Sequence, residues 1–492
     1  MSESTVGSRR VLGFAASFGA VGIVGNIAQV AYTAVTARAI GPAGYAPYAA
    51  ALLALSLIAV ATSAGVASAI LRAPEWERER ERGYLLFITL VGLLCAVAMV
   101  LLSYVWDRVS GVEGSGAVVR LCAPLALITP LGLVGATLVR RDGRGKRAAA
   151  IEASAQLTGF AVGAVLVVVF RTPQSLVASL AVAAIATLVL TWMSLGRFPR
   201  VGPLRAAREE IRFTLGITPL GFSAYALTTI PSYWAARNLS SDSYAQFTRA
   251  NLVAAIPAQQ LSGALGKAVV PEFRELAPSR LQVAVRDLVV LGWASSSLLL
   301  GFLAAMAEPV VALLLGPSWA GTGTWIALAC IGWALSVPEN LLSQFTEFQG
   351  RKRALWTAQA SAFVAVIASI VLMSRTSWAQ YTPAVAVAVL FATLLIAFSL
   401  LQRDGVVIPH ALPAMAAQFA IAIAAFLVVR AAVASGGSMA GLLGEIVGAA
   451  VMGVAVLAVL ALVVRRLPAG RVMHRRGLLP AWIPGDPSPA SR

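Results

Sequence analysis

The side chains best suited to chemistry in this sequence lie inside long apolar runs. Arg249 lies within the run 243–270, with Gln246 three residues before it and Gln260 eleven residues after it. These spacings place all three side chains on one face of a helix. A guanidinium stays charged and binds phosphate oxygens through two parallel hydrogen bonds, so this face is a candidate anion site. The alternative is that Arg249 snorkels, extending its charged head to the nearest end of the run.

A second candidate is the carboxyl group of Glu339, which lies in the apolar run 322–348 between Pro338 and Asn340. Ionisable side chains inside such runs are rare and often serve transport. Glu339 is therefore a candidate carrier of a coupling proton or ion. It is equally compatible with a structural ion pair to an arginine on a neighbouring helix.

Polar side chains also follow one face of the first apolar run and of a run that begins about 200 residues later. The members of the first stripe are Asn26, Gln29, Thr33 and Thr36. At an offset of 199 residues, the partners of the first three are Tyr225, Thr228 and Ser232. Paired polar stripes favour a wet cleft that binds substrate, whereas each residue alone would also suit hydrogen bonding between helices.

An arginine closes each of these two runs. Arg38 follows the first stripe and Arg237 follows the second, again 199 residues apart (237 − 38 = 199). Guanidinium groups at matched helix ends could form a cationic rim around a binding site. Plain anchoring at the membrane surface is the alternative.

The composition requires a membrane environment. The chain has 492 residues, of which 59% are hydrophobic and 12% charged, whereas soluble domains carry about 25% charged residues. So much apolar surface cannot be buried in a water-soluble core, so the chain is a polytopic membrane protein. Its formal net charge is +17, but the positive residues lie in short loops between apolar runs. That placement is typical of membrane topology and of contact with anionic lipids, and it argues against a nucleic-acid partner.

No cofactor, metal or enzymatic site is expected. Cys95, Cys122 and Cys330 lie in apolar runs without metal-ligand spacing, and the only histidines are His410 and His474. A membrane glycosyltransferase or polymerase would need catalytic residues in a sizeable outer loop, and the predicted outer loops are short. A structural scaffold for wall synthesis or division remains open.

Fourteen apolar runs are each long enough for a membrane-spanning helix, which needs about 20 residues. We place them at 11–37, 46–71, 83–105, 117–139, 150–170, 175–196, 214–236, 243–270, 285–315, 322–348, 354–374, 380–401, 409–434 and 441–464. All but eight of the 38 Lys and Arg residues lie at the N-terminus, in alternate loops or in the C-terminal tail. This alternation predicts an even number of spans, with both termini in the cytoplasm.

The chain contains a repeat. Residues 37–48 and 236–247 share Ala-Arg and Tyr-Ala pairs at the same offset of 199 residues, and an apolar run follows each. The basic segments 143–147 and 350–353 end spans 4 and 10, so six spans separate each matched pair. An even separation gives two halves of the same orientation, a parallel repeat with substrate expected between the halves. The predicted parts are an N-terminal lobe (1–212), a C-terminal lobe (213–404), two additional helices (405–466) and a basic, disordered cytoplasmic tail (467–492).

Three motifs in order resemble a known family. The first hairpin, Ala37–Arg72, the segment Tyr244–Ala250 and the segment Pro309–Trp319 resemble polysaccharide-type flippases. These belong to the multidrug/oligosaccharidyl-lipid/polysaccharide (MOP) superfamily and include lipid-linked oligosaccharide (O-antigen, Wzx-like) flippases. The resemblance covers about the first 400 residues. One departure is that Ser240–Asp242 replaces the Gly41–Pro42 turn in the second half.

The resemblance implies a V-shaped pair of six-helix lobes around a central cavity. It implies alternating-access transport of an undecaprenyl-diphosphate-linked glycan across the plasma membrane. Membrane lipids, a proton or sodium gradient and polysaccharide assembly proteins are the further partners it suggests. Two rivals share the fold: an ion-coupled multidrug exporter, and a flippase for the peptidoglycan precursor, whose relatives also carry spans 13 and 14.

Overall fold

The computed structural model describes residues 25, 27–73, 75–197, 199–269, 278–349 and 351–401, and these form helices joined by short connections. Helix α1 covers residues 27–39. The helices that follow are α2 (Pro42–Ser63), α3 (Val66–Arg72), α4 (Arg78–Ser103), α5 (Trp106–Ser110), α6 (Ser115–Cys122), α7 (Leu125–Arg141), α8 (Gly145–Phe170), α9 (Pro173–Leu195), α10 (Arg208–Asn238), α11 (Ser241–Val269), α12 (Pro278–Ala305), α13 (Ala307–Leu314), α14 (Thr322–Phe348), α15 (Lys352–Met373) and α16 (Thr382–Leu401).

The predicted all-α, multi-pass architecture is confirmed. Within the described ranges, nine helices are long and apolar enough to cross a membrane, and α6 and α7, which are bent by 40°, make a tenth if the pair is one broken span. These ten correspond to predicted spans 2–7 and 9–12. Most of span 1 and all of spans 13 and 14 lie outside the described residues, so the count of fourteen stays a prediction.

Helix α11 occupies predicted span 8 and differs from those ten. It is 29 residues long but is absent from the set that is apolar enough to span. The reason is visible in its sequence, because Gln246, Arg249, Asn251, Gln259 and Gln260 interrupt the apolar residues. A long helix of this composition needs protein or water around its polar face.

The described chain forms two compact units. The first runs to Ala245 and also contains Ala312–Trp319, which we call the 312–319 arm; the second contains Gln246–Val311 and the chain from Ala320 onward. Helix α10 packs on α2 and α3, so packing groups predicted span 7 with the preceding spans. The lobe boundary at residue 212, drawn from the sequence repeat, stays a prediction.

One buried hydrophobic cluster of the first unit joins α3, α4, α7 and α9, through residues such as Ile70, Tyr84, Leu138 and Trp192. A hydrogen bond of 2.8 Å joins the Tyr84 hydroxyl to the Thr214 hydroxyl and so links this core to α10. Large buried side chains of this kind stabilise helix packing through dispersion contacts. Exclusion of water contributes little inside a membrane, because lipid tails are as apolar as these side chains.

Two ion pairs lie at the start of α4. Arg197 donates to Glu81 at 2.6 Å, and Arg80 donates to Glu210 at 3.3 Å. The alternating charges of run 75–82 are typical of a solvated helix end. That interpretation fits exposed residues such as Glu79 but not Glu81, which is buried. The run therefore also attaches the connection between α9 and α10 to α4.

Helix α14 is the centre of the second unit, where it packs against α12 and α16. Two contacts join it to α11. The Trp333 indole donates a hydrogen bond of 2.6 Å to the Asn251 side chain, and the rings of Phe247 and Trp325 meet edge-on with centroids 5.6 Å apart. These contacts fix the polar helix α11 to the apolar helix α14.

Candidate functional site

The Arg249 side chain is enclosed by protein, with only 3% of its surface exposed. A snorkelling arginine keeps its charged head at the membrane surface, so this burial argues against the snorkelling alternative. Burying a guanidinium costs several kcal/mol unless polar groups surround it. The structure thus maintains a permanent cation inside α11. In this conformation a ligand reaches it only after the surrounding side chains move.

The other two members of the predicted face have different environments. Gln246 is half-buried, and its side-chain oxygen lies 2.5 Å from the position that a Cβ at Gly321 would occupy. A side chain at position 321 would therefore displace Gln246. Gln260 is exposed, as is its neighbour Gln259. The face therefore runs from a buried cation to exposed amides about three turns away.

Glu339 is also buried, with 7% of its surface exposed. Within the described residues its carboxyl group forms no hydrogen bond or ion pair, so the expected structural arginine partner is not found there. Glu339 lies two helical turns after Gly332, on the same face of α14. A Cβ added at Gly332 would lie 3.1 Å from the backbone nitrogen of Ala388 in α16, so this face packs closely against α16. A buried carboxyl without a cation fits a group that exchanges a proton.

The first polar stripe is less open than predicted. Asn26 lies outside the described residues, Gln29 is half-buried and Thr33 is buried. The Thr36 hydroxyl donates within its own helix, to the carbonyl oxygens of Tyr32 at 2.8 Å and Thr33 at 3.1 Å. Such back-bonding satisfies a hydroxyl without any ligand. Gln29 is the described residue of this stripe that remains best placed to line a cleft.

In the second stripe, Tyr225 has a structural partner and Thr228 and Ser232 differ in exposure. The Tyr225 hydroxyl donates to the carbonyl of Leu53 at 2.6 Å and so attaches α10 to α2. Thr228 is exposed and Ser232 is half-buried. The predicted wet cleft therefore depends on Thr228 and Ser232 more than on Tyr225.

Arg38 and Arg237 both bind backbone carbonyl groups. Arg38 donates to the carbonyl of Leu313, in the 312–319 arm. Arg237 donates to the carbonyls of Arg108 at 3.0 Å and Val109 at 3.2 Å, in α5. The predicted rim thus consists of two guanidinium groups that each hold a short helix. Sequence reasoning missed these partners because a carbonyl acceptor leaves no mark in the residue type.

A buried tryptophan supports the Arg38 contact. Trp319 ends the 312–319 arm, and its indole donates to the carbonyl of Ala37 at 2.8 Å. The same ring meets Tyr45 edge-on with centroids 5.9 Å apart. Trp319 is the last residue of the motif Pro309–Trp319, which resembles polysaccharide-type flippases. That motif is the one signal in the sequence that pointed to this tryptophan.

Residues 35–323 match the family described as "Polysaccharide biosynthesis protein", which is more than half of the chain. The chain belongs to that family. The match covers the first hairpin, Arg249 and the 312–319 arm, so it includes all three motifs on which the resemblance was based. Recognition of a polysaccharide-type protein is therefore confirmed. A comparison with curated proteins finds no match.

Solved structures establish the fold of this family member. The lipid II flippase MurJ, in an inward closed conformation, matches with a TM-score of 0.69 and 9% identity, over 91% of this chain and 98% of that chain. An inward-facing multidrug resistance MATE family transporter of the MOP superfamily matches with a TM-score of 0.59 and 14% identity, over 84% and 98%. A MOP superfamily transporter from Pyrococcus furiosus matches with a TM-score of 0.55 and 14% identity, over 84% and 95%. The chain has the MOP fold.

Proposed function

We propose that this polysaccharide biosynthesis family member is a flippase that moves a lipid-linked oligosaccharide or polysaccharide precursor across the plasma membrane by alternating access. Family and fold together support a flippase-type transporter of the MOP superfamily. The observation that carries the choice of substrate is the permanent cation of Arg249, buried in a polar helix. A diphosphate is the part of a lipid-linked glycan that such a cation would bind most strongly.

In this proposal α11 supplies the substrate-binding face. Arg249 binds the diphosphate, Gln246 and Gln260 donate or accept hydrogen bonds along the glycan, and Gln29 contributes from α1. Asn26 and Thr33 belong to the same predicted set, as do Arg38 and Arg237 as secondary cationic contacts. Glu339 carries the coupling proton or sodium ion. Movement of the side chains around Arg249 exposes it when the substrate enters.

Binding measurements on purified protein test the substrate. A labelled undecaprenyl-diphosphate sugar should bind, and Arg249→Ala should weaken that binding, whereas Arg375→Ala, which removes an exposed arginine elsewhere, should not. A cationic dye should bind poorly. If the dye binds well and the lipid diphosphate does not bind, the chain is the ion-coupled exporter instead, an alternative that the buried Glu339 carboxyl favours.

The likeness to MurJ makes a lipid II-type precursor the second candidate substrate. Competition decides between the two, because a lipid II headgroup and an O-antigen-type glycan share the diphosphate and differ in the sugar. Displacement of the labelled lipid by lipid II at equal concentration would favour a peptidoglycan precursor. Weak displacement would favour a polysaccharide precursor and, with it, polysaccharide assembly proteins as partners.

The proposed location is a bacterial plasma membrane with both termini in the cytoplasm. Cysteines at positions 144 and 205 should then be shielded in intact cells, and cysteines at 114 and 241 should react with an impermeant maleimide. These variants are made in a background without Cys95, Cys122 and Cys330. Strong labelling of position 144 from outside would contradict the proposed topology.

A further inference from the structure

The two repeat-related arginines, Arg38 and Arg237, make equivalent contacts with short helices from the opposite halves of the sequence. Arg38 ends α1 in the first half and binds the Leu313 carbonyl, near the end of α13 in the second half. Arg237 ends α10 in the second half and binds the Arg108 and Val109 carbonyls, in α5 of the first half. All of these residues belong to the first compact unit.

Both acceptors are carbonyls in the last turn of a helix. Those groups have no partner within the helix and carry its partial negative charge, so a guanidinium is a suitable donor. A glycine at positive φ follows each helix, Gly111 at 75° and Gly316 at 91°. A Cβ at Gly111 would lie 3.3 Å from the Arg237 Cα, and one at Gly316 would lie 3.6 Å from the Arg38 Cγ. Glycine therefore permits both the turn and the close approach.

A buried tryptophan accompanies each contact. Trp319 binds the Ala37 carbonyl beside Arg38, and Trp106 in α5 meets the ring of Tyr233, four residues before Arg237, with centroids 5.9 Å apart. Both contacts thus share an arginine that binds carbonyl groups near the end of a short helix, although the two tryptophans differ in position and in hydrogen-bond partner. Maintenance of the same exchanged contact in both halves points to a shared role.

We infer that these contacts are twin latches, which close the end of the protein predicted to face outward and release when that end opens. This inference rests on the alternating access of the proposed function. Both arginine side chains are exposed, so water competes for each guanidinium and the hydrogen bonds break readily. Release of both latches frees α5 and the 312–319 arm from the helices that hold them.

Cysteine labelling at two buried positions measures release of the latches in the absence of any substrate. Thr36 and Ala235 lie two residues before Arg38 and Arg237, they are matched by the 199-residue offset, and they are 1% and 0% exposed. A cysteine at either position, in the background without native cysteines, should react slowly with an impermeant maleimide applied from outside. Arg38→Ala with Arg237→Ala should raise both labelling rates about five- to tenfold, as expected for loss of exposed charge-assisted hydrogen bonds.

Arg108→Ala is the matched control. It removes an exposed arginine from the same region but keeps the backbone carbonyl that accepts from Arg237, so labelling should stay at the parental rate. If the double variant labels no faster than the parent, or if Arg108→Ala labels as fast as the double variant, the latches do not exist. Because the readout needs no lipid diphosphate, a failure of the proposed substrate would leave this result intact.

A covalent latch provides the converse test. Gly111→Cys with Arg237→Cys brings the new Cβ at position 111 within 3.3 Å of the Arg237 Cα, a separation compatible with a disulfide. Gly114→Cys with Arg237→Cys has a similar positive φ, 79°, and nothing within 4 Å of its Cβ. Oxidation should cross-link the first pair but not the second, and should stop lipid movement until a reductant is added. A cross-linked protein that still transports at the parental rate would overturn the inference, as would failure of the first pair to cross-link.

Discussion

Helices α2 and α11 occupy matched positions in the two repeats, yet their side chains suit different roles. Their packing residues match at the 199-residue offset: Tyr45, Ala46, Tyr48 and Ala51 in α2 correspond to Tyr244, Ala245, Phe247 and Ala250, and all eight are buried. A few further positions also match, but the residues of the predicted binding face do not. Arg249, Gln246 and Gln260 replace Ala50, Pro47 and Ala61.

The difference shows which part of the duplicated helix is structural and which part is free to specialise. Small and aromatic residues on the common face allow close helix packing without help from water. On the other face, α2 has apolar residues where α11 has a buried cation and several amides. If the proposed site lies on one copy of the repeat, substrate binding should depend on α11 far more than on α2.

An arginine introduced into α2 at the position that matches Arg249 should have the largest effect, a loss of stability. Ala50 is fully buried, and its carbonyl already accepts a hydrogen bond from Trp106 at 3.2 Å. Ala50→Arg would bury a charge among apolar residues, at an expected cost of about 3–5 kcal/mol. Thermal unfolding of the purified protein in detergent would measure this loss. The control is Ala43→Arg, at the exposed start of α2, which should unfold at the parental temperature; equal stability of both variants would refute the difference in environment.

Loss of the buried Glu339 carboxyl in α14 should stop transport without unfolding the protein. Glu339→Gln keeps the shape of the side chain but cannot release a proton, so coupled movement of lipid should fall to background. Flipping into proteoliposomes under imposed proton or sodium gradients is the measurement, and binding of the labelled lipid should be retained. Gln344→Glu, one helical turn and a residue further along α14, is a control for added charge. Normal transport by Glu339→Gln across a range of gradients would remove Glu339 from the mechanism.

Removal of the cation from α11 should weaken substrate binding. Arg249→Ala should reduce affinity for the lipid diphosphate by roughly ten- to a hundredfold, which corresponds to about 1.5–3 kcal/mol. Arg249→Lys should retain part of the affinity, because it keeps the charge and loses the two-pronged geometry. Arg249→Glu should be worse than alanine because it adds repulsion. Equal affinity of the alanine variant and the parent would leave the polar stripes as the site.

The smallest expected effects concern the two tryptophans that fix these helices. Trp106→Phe removes the hydrogen bond to the Ala50 carbonyl of α2, and Trp333→Phe removes the one to Asn251 of α11. Each should cost about 0.5–1.5 kcal/mol of stability. Trp333→Phe should also weaken lipid binding more than Trp106→Phe does, because the proposed site places Arg249, Gln246 and Gln260 on α11. If Trp106→Phe weakens binding equally, the two helices contribute alike and the asymmetry is wrong.

The sequence was sufficient for the long helices because apolar length alone marks a membrane span. Run 150–170 corresponds to α8, and run 83–105 to most of α4. The short helix α5 was missed, and α13 was predicted only as the end of run 285–315, since five to eight residues show no clear periodicity of their own. For the candidate site, periodicity placed Arg249 on a polar face, but burial of that face depends on α14 and other helices. The partners of Arg38 and Arg237 could not be predicted because any residue type supplies a backbone carbonyl.

The 312–319 arm also constrains the order in which the chain can mature. The Ala37 carbonyl lies 282 residues before its partner, the Trp319 indole. During synthesis the first hairpin enters the membrane long before that indole exists, so the first compact unit stays incomplete while α4 to α13 are inserted. Closing such a long loop is slow and comes late in folding. A chain truncated before Trp319 would therefore leave the first hairpin without the indole that binds the Ala37 carbonyl.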